Sequence, residues 1–377
     1  MDAVKRFFAL SLTVVLLCGL TACRSSDYLS VQEHQDPFSY KETTVEDTQE
    51  QELRVSDYYS LRTALISLMT QGEEHAQVYL DGYSGNADND LKRVVSYLTE
   101  SDPVGAYAID YINYERQRTP GSNAVLFDVV YRRSANEIAA IRSVRGNEQA
   151  NSVLYTALEE FAPSVTLQIS GYTEEDFAQT VREYCLYHPE KTVPCSDLSV
   201  SVYPQSGNVR VVEFHFSYDL SREDLRIRTG DTATALSSAY NYIRYGQSAE
   251  DCLKLTLSYL IGRFPYKESE DASVYSLLCE GVSDSTAFSS VLAYLCRNAK
   301  IPCFVVEGTK QGIPYCWTVL QIDGVWYHLD LARNVLEENR TLLLMTDSEM
   351  LGYDWDSEKY PVCDGIPEEP PTEPENG

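Results

Sequence analysis

Apolar positions along the chain change period from segment to segment, and the clearest change lies between residues 273 and 330. A loop rich in small residues feeds a stretch of helical apolar period, Ser285–Ala299. Lys300-Ile301-Pro302 stops it, because proline cannot continue a helix. Three strand-like runs follow at 303–307, 316–322 and 325–331, with Asp323-Gly324 as a tight hairpin between the last two.

Further upstream, residues 57–225 carry an internal repeat. Ala64-Leu65, Gly82-Tyr83, Val95, Pro103, Gly121, Tyr131 and Glu137 recur as Ala157-Leu158, Gly171-Tyr172, Val181, Pro189, Gly207, Tyr218 and Glu223, at offsets of 86 to 93 residues. Each copy reads as helix, strand, helix, then two strands around a glycine turn. In the second copy 153–162 is helical, 166–169 extended, and 174–186 helical behind a Thr173 cap. Residues 198–203 and 209–218 then alternate as strands, with Ser206-Gly207 between them. The pattern predicts two tandem αβαββ modules, at 57–147 and 148–228. Neither holds a His/Cys/Asp constellation, which assigns them to binding or spacing. Residues 226–237 read as a polar linker to a C-terminal unit at 238–362.

The first residues read as a processing signal. Lys5-Arg6 precedes an apolar run from Phe7 to Leu17, too short for a comfortable membrane span, and Leu20-Thr21-Ala22-Cys23 follows. That tetrapeptide resembles the bacterial lipobox. The resemblance implies a lipoprotein signal at 1–22, cleavage before Cys23 and diacylglycerol on its sulfur; a plain secretory signal is the alternative. The expected location is the extracytoplasmic face of the cell membrane, held through the Cys23 lipid. Residues 23–56 are polar and acidic and read as a flexible tether. Residues 363–377, rich in Pro and Glu, read as a disordered tail.

Composition narrows the partners. The formal net charge of −27 disfavours nucleic acid and anionic polymers, and no Lys/Arg run exceeds two residues. The loop 81–86 lacks the alternating ligands of a calcium hand. Of ten cysteines, Cys18 leaves with the signal and Cys23 is the lipid site. The remaining eight form no Cys-x-x-Cys and accompany no His cluster, so neither a metal nor a cofactor is expected. An exported chain permits disulfides, but their pairing is not readable from spacing. Nor is the oligomeric state.

Ser273, Tyr275, Leu278, Gly281, Phe288-Ser289, Ile301-Pro302-Cys303, Trp317 and the run from Trp326 to Asp330 form a spaced set, and on it residues 240–360 resemble the transglutaminase-like superfamily in its bacterial lipoprotein-associated form. Ser273, Tyr275, Leu278 and Gly281 fit the segment leading to that family's nucleophile. Phe288-Ser289 fits the pair three residues past it, and Ile301-Pro302-Cys303 the helix exit. Trp317 fits the Trp after the family's His, residues 326–330 the Asp strand, and residues 343–350 with Trp355 the downstream segment. Residues 249–266 fit the helix before the catalytic loop. The resemblance implies an α+β, papain-like domain with a nucleophilic Cys at a helix start, a His on the next strand and an Asp on the one after. Here the Cys position holds Ser285 and the His position holds Tyr315; only Asp330 is kept. Serine needs a strong general base to become a nucleophile, and tyrosine, titrating near ~10, is a poor base at neutral pH.

Rival positions remain. Cys279-Glu280-Gly281 looks like the Cys-x-Gly of a family active site, though it breaks the spacing to Tyr275 and to the helix exit. Cys316 adjoins the His position, but neighbouring strand residues face opposite sides, so its thiol is expected to point away from the cleft. His328 shares a strand face with Asp330 and is expected to be structural. The expectation is a pseudoenzyme whose former cleft, lined by Ser285, Tyr315, Trp317 and Asp330 with Cys279 and His328 as further candidates, holds a peptide or glycopeptide. Two alternatives stay open: an active envelope cysteine protease or transglutaminase-type enzyme using Cys279, and a structural scaffold in which the tandem modules bind.

The anchor is directly testable. Cys23→Ala should abolish acylation and release the protein from membranes, as read by mass and by membrane fractionation; unchanged retention and mass would contradict the lipobox reading.

Overall fold

The computed structural model describes residues 53–80, 82–119, 122–263, 265–269 and 272–367. The signal, Cys23, the tether up to residue 52, Gly121 and residues 368–377 lie outside the described residues. Among the described residues no helix is long and apolar enough to cross a membrane. The architecture is mixed α and β, with two four-stranded sheets followed by a five-stranded one.

In the first sheet, β1 (Leu53–Arg54) pairs in parallel with β2 (His75–Tyr79) across helix α1 (Tyr58–Gln71). The Asp57 carboxylate caps α1 by accepting the Ser60 amide, and Gly72, left-handed at φ 74°, ends it. Leu61, Leu65 and Met69 recur at i, i+4 and i+8 and form its buried stripe. Helices α2 (Ala87–Glu100) and α3 (Pro103–Ala108) lead into β3 (Ile109–Thr119) and β4 (Ser122–Tyr131). The antiparallel β4 lies between β2 and β3, giving the order β1-β2-β4-β3. A short helix, α4 (Ala135–Ala139), follows.

The second sheet repeats this order and these senses of pairing. Strand β5 (Arg142–Arg145), helix α5 (Gly146–Glu159), β6 (Ser164–Ser170), α6 (Phe177–Tyr187), β7 (Asp197–Tyr203) and β8 (Val209–Ser217) arrange as β5-β6-β8-β7. The first pair is parallel and the other two antiparallel. Gly82 and Gly171 leave β2 and β6 with nearly equal φ, 74° and 75°. The cap of α6 is Asp176 rather than Thr173, because Asp176 accepts the Gln179 amide while the Thr173 amide is turned to Asn147 Oδ1.

Three boundaries upstream of the C-terminal unit differ from the sequence reading. Leu53–Arg54, expected in the tether, and Arg142–Arg145, expected at the end of the first module, are the leading strands of the two sheets. Strands of two and four residues are too short to display alternation, so αβαββ in the sequence is βαβααββ in the first group and βαβαββ in the second. Residues 226–237 are not a linker but the middle of helix α7 (Arg222–Ile243). Its buried face consists of Leu225, Thr229, Thr232, Ala235, Leu236, Ala239 and Ile243. Threonine and alanine dilute the apolar period to the point of looking polar.

Helix α8 (Ala249–Ile261) precedes two short parallel strands, β9 (Lys267–Glu268) and β10 (Val282–Ser283), separated by a π-turn at Ser276–Glu280. Helix α9 (Ser285–Ala299) is buried without interruption from Ala287 to Cys296. Lys300 leaves it left-handed, at φ 62°. Strands β11 (Cys303–Lys310), β12 (Ile313–Ile322) and β13 (Val325–Leu329), helix α10 (Leu331–Leu336), β14 (Leu344–Met345) and β15 (Tyr353–Asp354) complete the unit. The sheet order is β14-β13-β12-β11-β15, antiparallel throughout. Asp323 and Gly324 both have positive φ, as a type I′ hairpin requires. The unit continues past residue 362. Cys363 is buried, and its carbonyl accepts the Asp347 amide, so the expected tail does not begin there.

The end of α6 docks on α9 and β11. Ser290 Oγ donates to Leu186 O, Arg297 pairs with Glu190 at 2.7 Å, and the Val305 amide donates to Tyr187 Oη at 2.8 Å.

Leu236 separates helix from linker experimentally. It is fully buried in the core beneath α9. Leu236→Ala should cost about 2–5 kcal/mol in denaturant unfolding; a loss within about 0.5 kcal/mol would fit an exposed linker instead.

Candidate functional site

A cleft of about 1150 Å³ opens where the start of α9 meets the β11–β12 hairpin. Residues 284–286 form one wall, residues 307–309 and 313–316 the other, and Glu268, Ser269 and Arg182 of α6 complete it. Asp284 caps α9 by accepting the Ala287 amide at 2.6 Å, which places Ser285 in the first turn facing β12. Three carboxylates, Glu268, Asp284 and Glu307, line the cleft against a single cation, Arg182, which lies 3.5 Å from Glu307.

Ser285, Tyr315 and Asp330 are brought together. Ser285 Oγ accepts the Cys316 amide at 3.1 Å, one residue from Tyr315. Tyr315 Oη donates to Asp330, 3.1 Å from each carboxylate oxygen. Asp330 is 2% exposed and follows β13 directly. It also accepts Tyr353 Oη at 2.7 Å and the Arg333 amide at 2.9 Å, and it pairs with Lys310 Nζ at 2.9 Å. The Lys310 ammonium lies 4.5 Å from the Tyr315 ring centroid and 5.0 Å from that of Tyr353.

This arrangement suppresses acid–base chemistry. Burial, together with the Asp330 charge, pushes the Tyr315 phenol far above its ordinary value, so it keeps its proton at neutral pH. Burial alone would lower Lys310, but hydrogen bonds to Tyr353 and Asp330 outweigh it and hold the ammonium charged. The Ser285 oxygen takes an amide N–H, a contact that removes no proton from it.

Trp317, Asp330, Cys279 and His328, read from the sequence as cleft residues, do not line it; Asp330 lies behind Tyr315. Trp317 is fully buried on the same strand face as Tyr315 but deeper in the core, edge-on to Tyr353 and Trp355. Gly308 makes room for it: a Cβ there would come within 2.7 Å of the indole and 2.4 Å of Asp354 O. The indole N–H donates to His328 Nδ1 at 2.9 Å, and His328 Nε2 meets Asp347 Oδ1 at 2.8 Å. Because Nδ1 accepts, Nε2 carries the hydrogen and gives it to Asp347. His328, Asp347 and Cys363 bring ligand atoms within 4.8 Å of one another, yet that protonated Nε2 has no lone pair to offer a cation. Burial, reinforced by Asp347, also pushes the Cys363 thiol up to about 12. Cys279 lies exposed on the π-turn, and burial and Asp231 raise its thiol against the opposing effect of Arg263. Cys316 packs with Leu186, Ala293 and Val305 as strand alternation requires, yet it reaches the cleft wall and its sulfur accepts the Thr286 hydroxyl.

Lys310, Tyr353 and Arg182 were missed in the sequence. Lys310 carried a usable signal. Gln311 and Gly312 both have positive φ, and this two-residue turn folds β12 back beside β11. Tyr353 and Arg182 come from distant segments and had none.

No family model and no curated protein matches the chain. Among solved structures, one titled "Crystal structure of a TGase" is similar at 11% identity and a TM-score of 0.25, over 45% of this chain. The chain spans half the length of that structure. Likeness at that level carries no argument about activity, and the cleft itself supports the functional reading.

His328 gives the stability of the C-terminal unit a pH signature. Burial lowers its pKa below the ordinary 6.5, against the opposing pull of Asp347. The unfolded chain therefore binds the proton first, so stability present above pH 6.5 is lost as pH falls through the lowered value. Melting temperature should drop between about pH 7 and about pH 5, and drop less in His328→Gln. Equal slopes in the two proteins would show that His328 is not responsible.

Proposed function

We propose that this is an exported lipoprotein, anchored at the membrane through Cys23, whose C-terminal unit is a transglutaminase-like domain that has lost catalysis and binds peptide or glycopeptide in its cleft. The observation that carries this reading is the saturated carboxylate of Asp330. In the resembled family the aspartate orients an imidazole, which makes the thiolate. Here the carboxylate is occupied by Lys310, Tyr315, Tyr353 and the Arg333 amide. The group at the imidazole position is a phenol that retains its proton. The hydroxyl at the thiol position has no activated form.

The cleft retains the features of a binding site. It has room for an extended peptide, carboxylates and hydroxyls along both walls, and Ile313-Pro314 as an apolar rim. The shared strand order of the two four-stranded sheets supports reading them as two copies of one βαβαββ unit, the first with α3 added, serving as spacers or additional binding modules. An enzyme working through Cys279 is disfavoured, since that thiol is raised and lies outside the cleft.

The discriminating assay is labelling with an electrophilic thiol probe under reducing conditions. The native protein should show no His-dependent, pH-dependent labelling of Cys279, and Ser285→Ala should leave binding nearly unchanged. Ser285→Cys combined with Tyr315→His should label faster at position 285 than Ser285→Cys alone. Fast labelling of Cys279 that disappears on mutating one histidine would overturn the proposal in favour of an active cysteine enzyme.

A further inference from the structure

The far end of α9 holds chemistry the cleft does not use. Cys296, in the last turn of α9, is 1% exposed, and its thiol neighbours that of Cys303, the first residue of β11, which packs against the same core. The backbone holds this approach without help from sulfur. Lys300 turns left-handed, the Ile301 amide donates to Cys296 O at 2.9 Å, and the Gln321 amide donates to Pro302 O at 3.0 Å. Cys303 is the more exposed of the two and also touches the Leu186 and Val305 cluster where α6 docks. The segment between them carries Arg297, which grips Glu190 and Tyr187 O.

We propose that Cys296 and Cys303 are a disulfide-forming pair, a modification site that ties the end of α9 to the start of β11. The oxidant is of the disulfide class, either oxidised glutathione or a dithiol-disulfide oxidoreductase of an oxidising compartment. Cys303 attacks one sulfur of the oxidant, the other sulfur leaves as a thiol, and a mixed disulfide forms. Cys296 then attacks the Cys303 sulfur, passing its proton to the second leaving sulfur. Two thiols lose two protons and two electrons, and the oxidant disulfide becomes two thiols.

The bond joins the two elements that form opposite walls of the cleft, since α9 carries Ser285 at its other end and β11 carries residues 307–309. It also spans the segment on which α6 docks. The proposal does not depend on whether the cleft is catalytic; it draws on the export reading only for the compartment.

The test uses the mature full-length protein, equilibrated in a glutathione disulfide buffer. It is then unfolded in the presence of N-ethylmaleimide, digested and mapped by mass spectrometry with and without reductant. The expected result is a linked peptide pair containing Cys296 and Cys303, absent after reduction, with both residues protected from alkylation. Cys303→Ser should lose the pair and leave Cys296 alkylated. Complete alkylation of both cysteines in the oxidised native protein would overturn the proposal. So would a preferred link from either one to a different cysteine. If Cys303→Ser fails to fold, the native map decides alone.

Discussion

The C-terminal unit is organised around one buried charge. Asp330 lies at the end of β13 and caps α10, so a single carboxylate ends a strand and starts a helix. A buried carboxylate is tolerated only when paired and hydrogen-bonded. Its partners come from β11, β12 and β15, which obliges three separated segments to converge. Removing one partner from such a group typically costs about 3–5 kcal/mol, whereas the intact pair adds little net stability. The cluster therefore acts on specificity: it sets where the β11–β12 hairpin and the β15 edge must lie. The same saturation leaves Asp330 nothing with which to orient a base.

Helix α9 is the second constraint. It is buried along ten consecutive residues, so every neighbour must be shaped to it. The sheet covers one side, α7 and α8 pack on others, and the end of α6 closes the rest through Ser290 and Arg297. The cleft lies at its N-terminal end, where the walls diverge. Further along the face that carries Tyr315, the bonds among Trp317, His328 and Asp347 lock a polar layer, and the absent side chain of Gly308 lets the indole fit. That layer occupies both ring nitrogens of His328.

Much of this unit was legible in the sequence. The bounds of α9, the Asp323-Gly324 hairpin and the succession of strands follow from local rules: proline stops a helix, paired positive φ makes a hairpin, and apolar period distinguishes helix from strand. The identities of Ser285, Tyr315 and Asp330 were also visible, because the type of side chain at a position does not depend on the fold. Only the tertiary structure decided the rest. The strands Leu53–Arg54 and Arg142–Arg145 exist because a neighbouring strand offers them hydrogen bonds, which no local period records. Helix α7 looked polar because threonine and alanine form its buried face. Lys310 and Tyr353 reach Asp330 across separate segments, and His328 is claimed by an indole on the neighbouring strand. These are contacts between residues remote in sequence, and their geometry is set by packing rather than by local pattern.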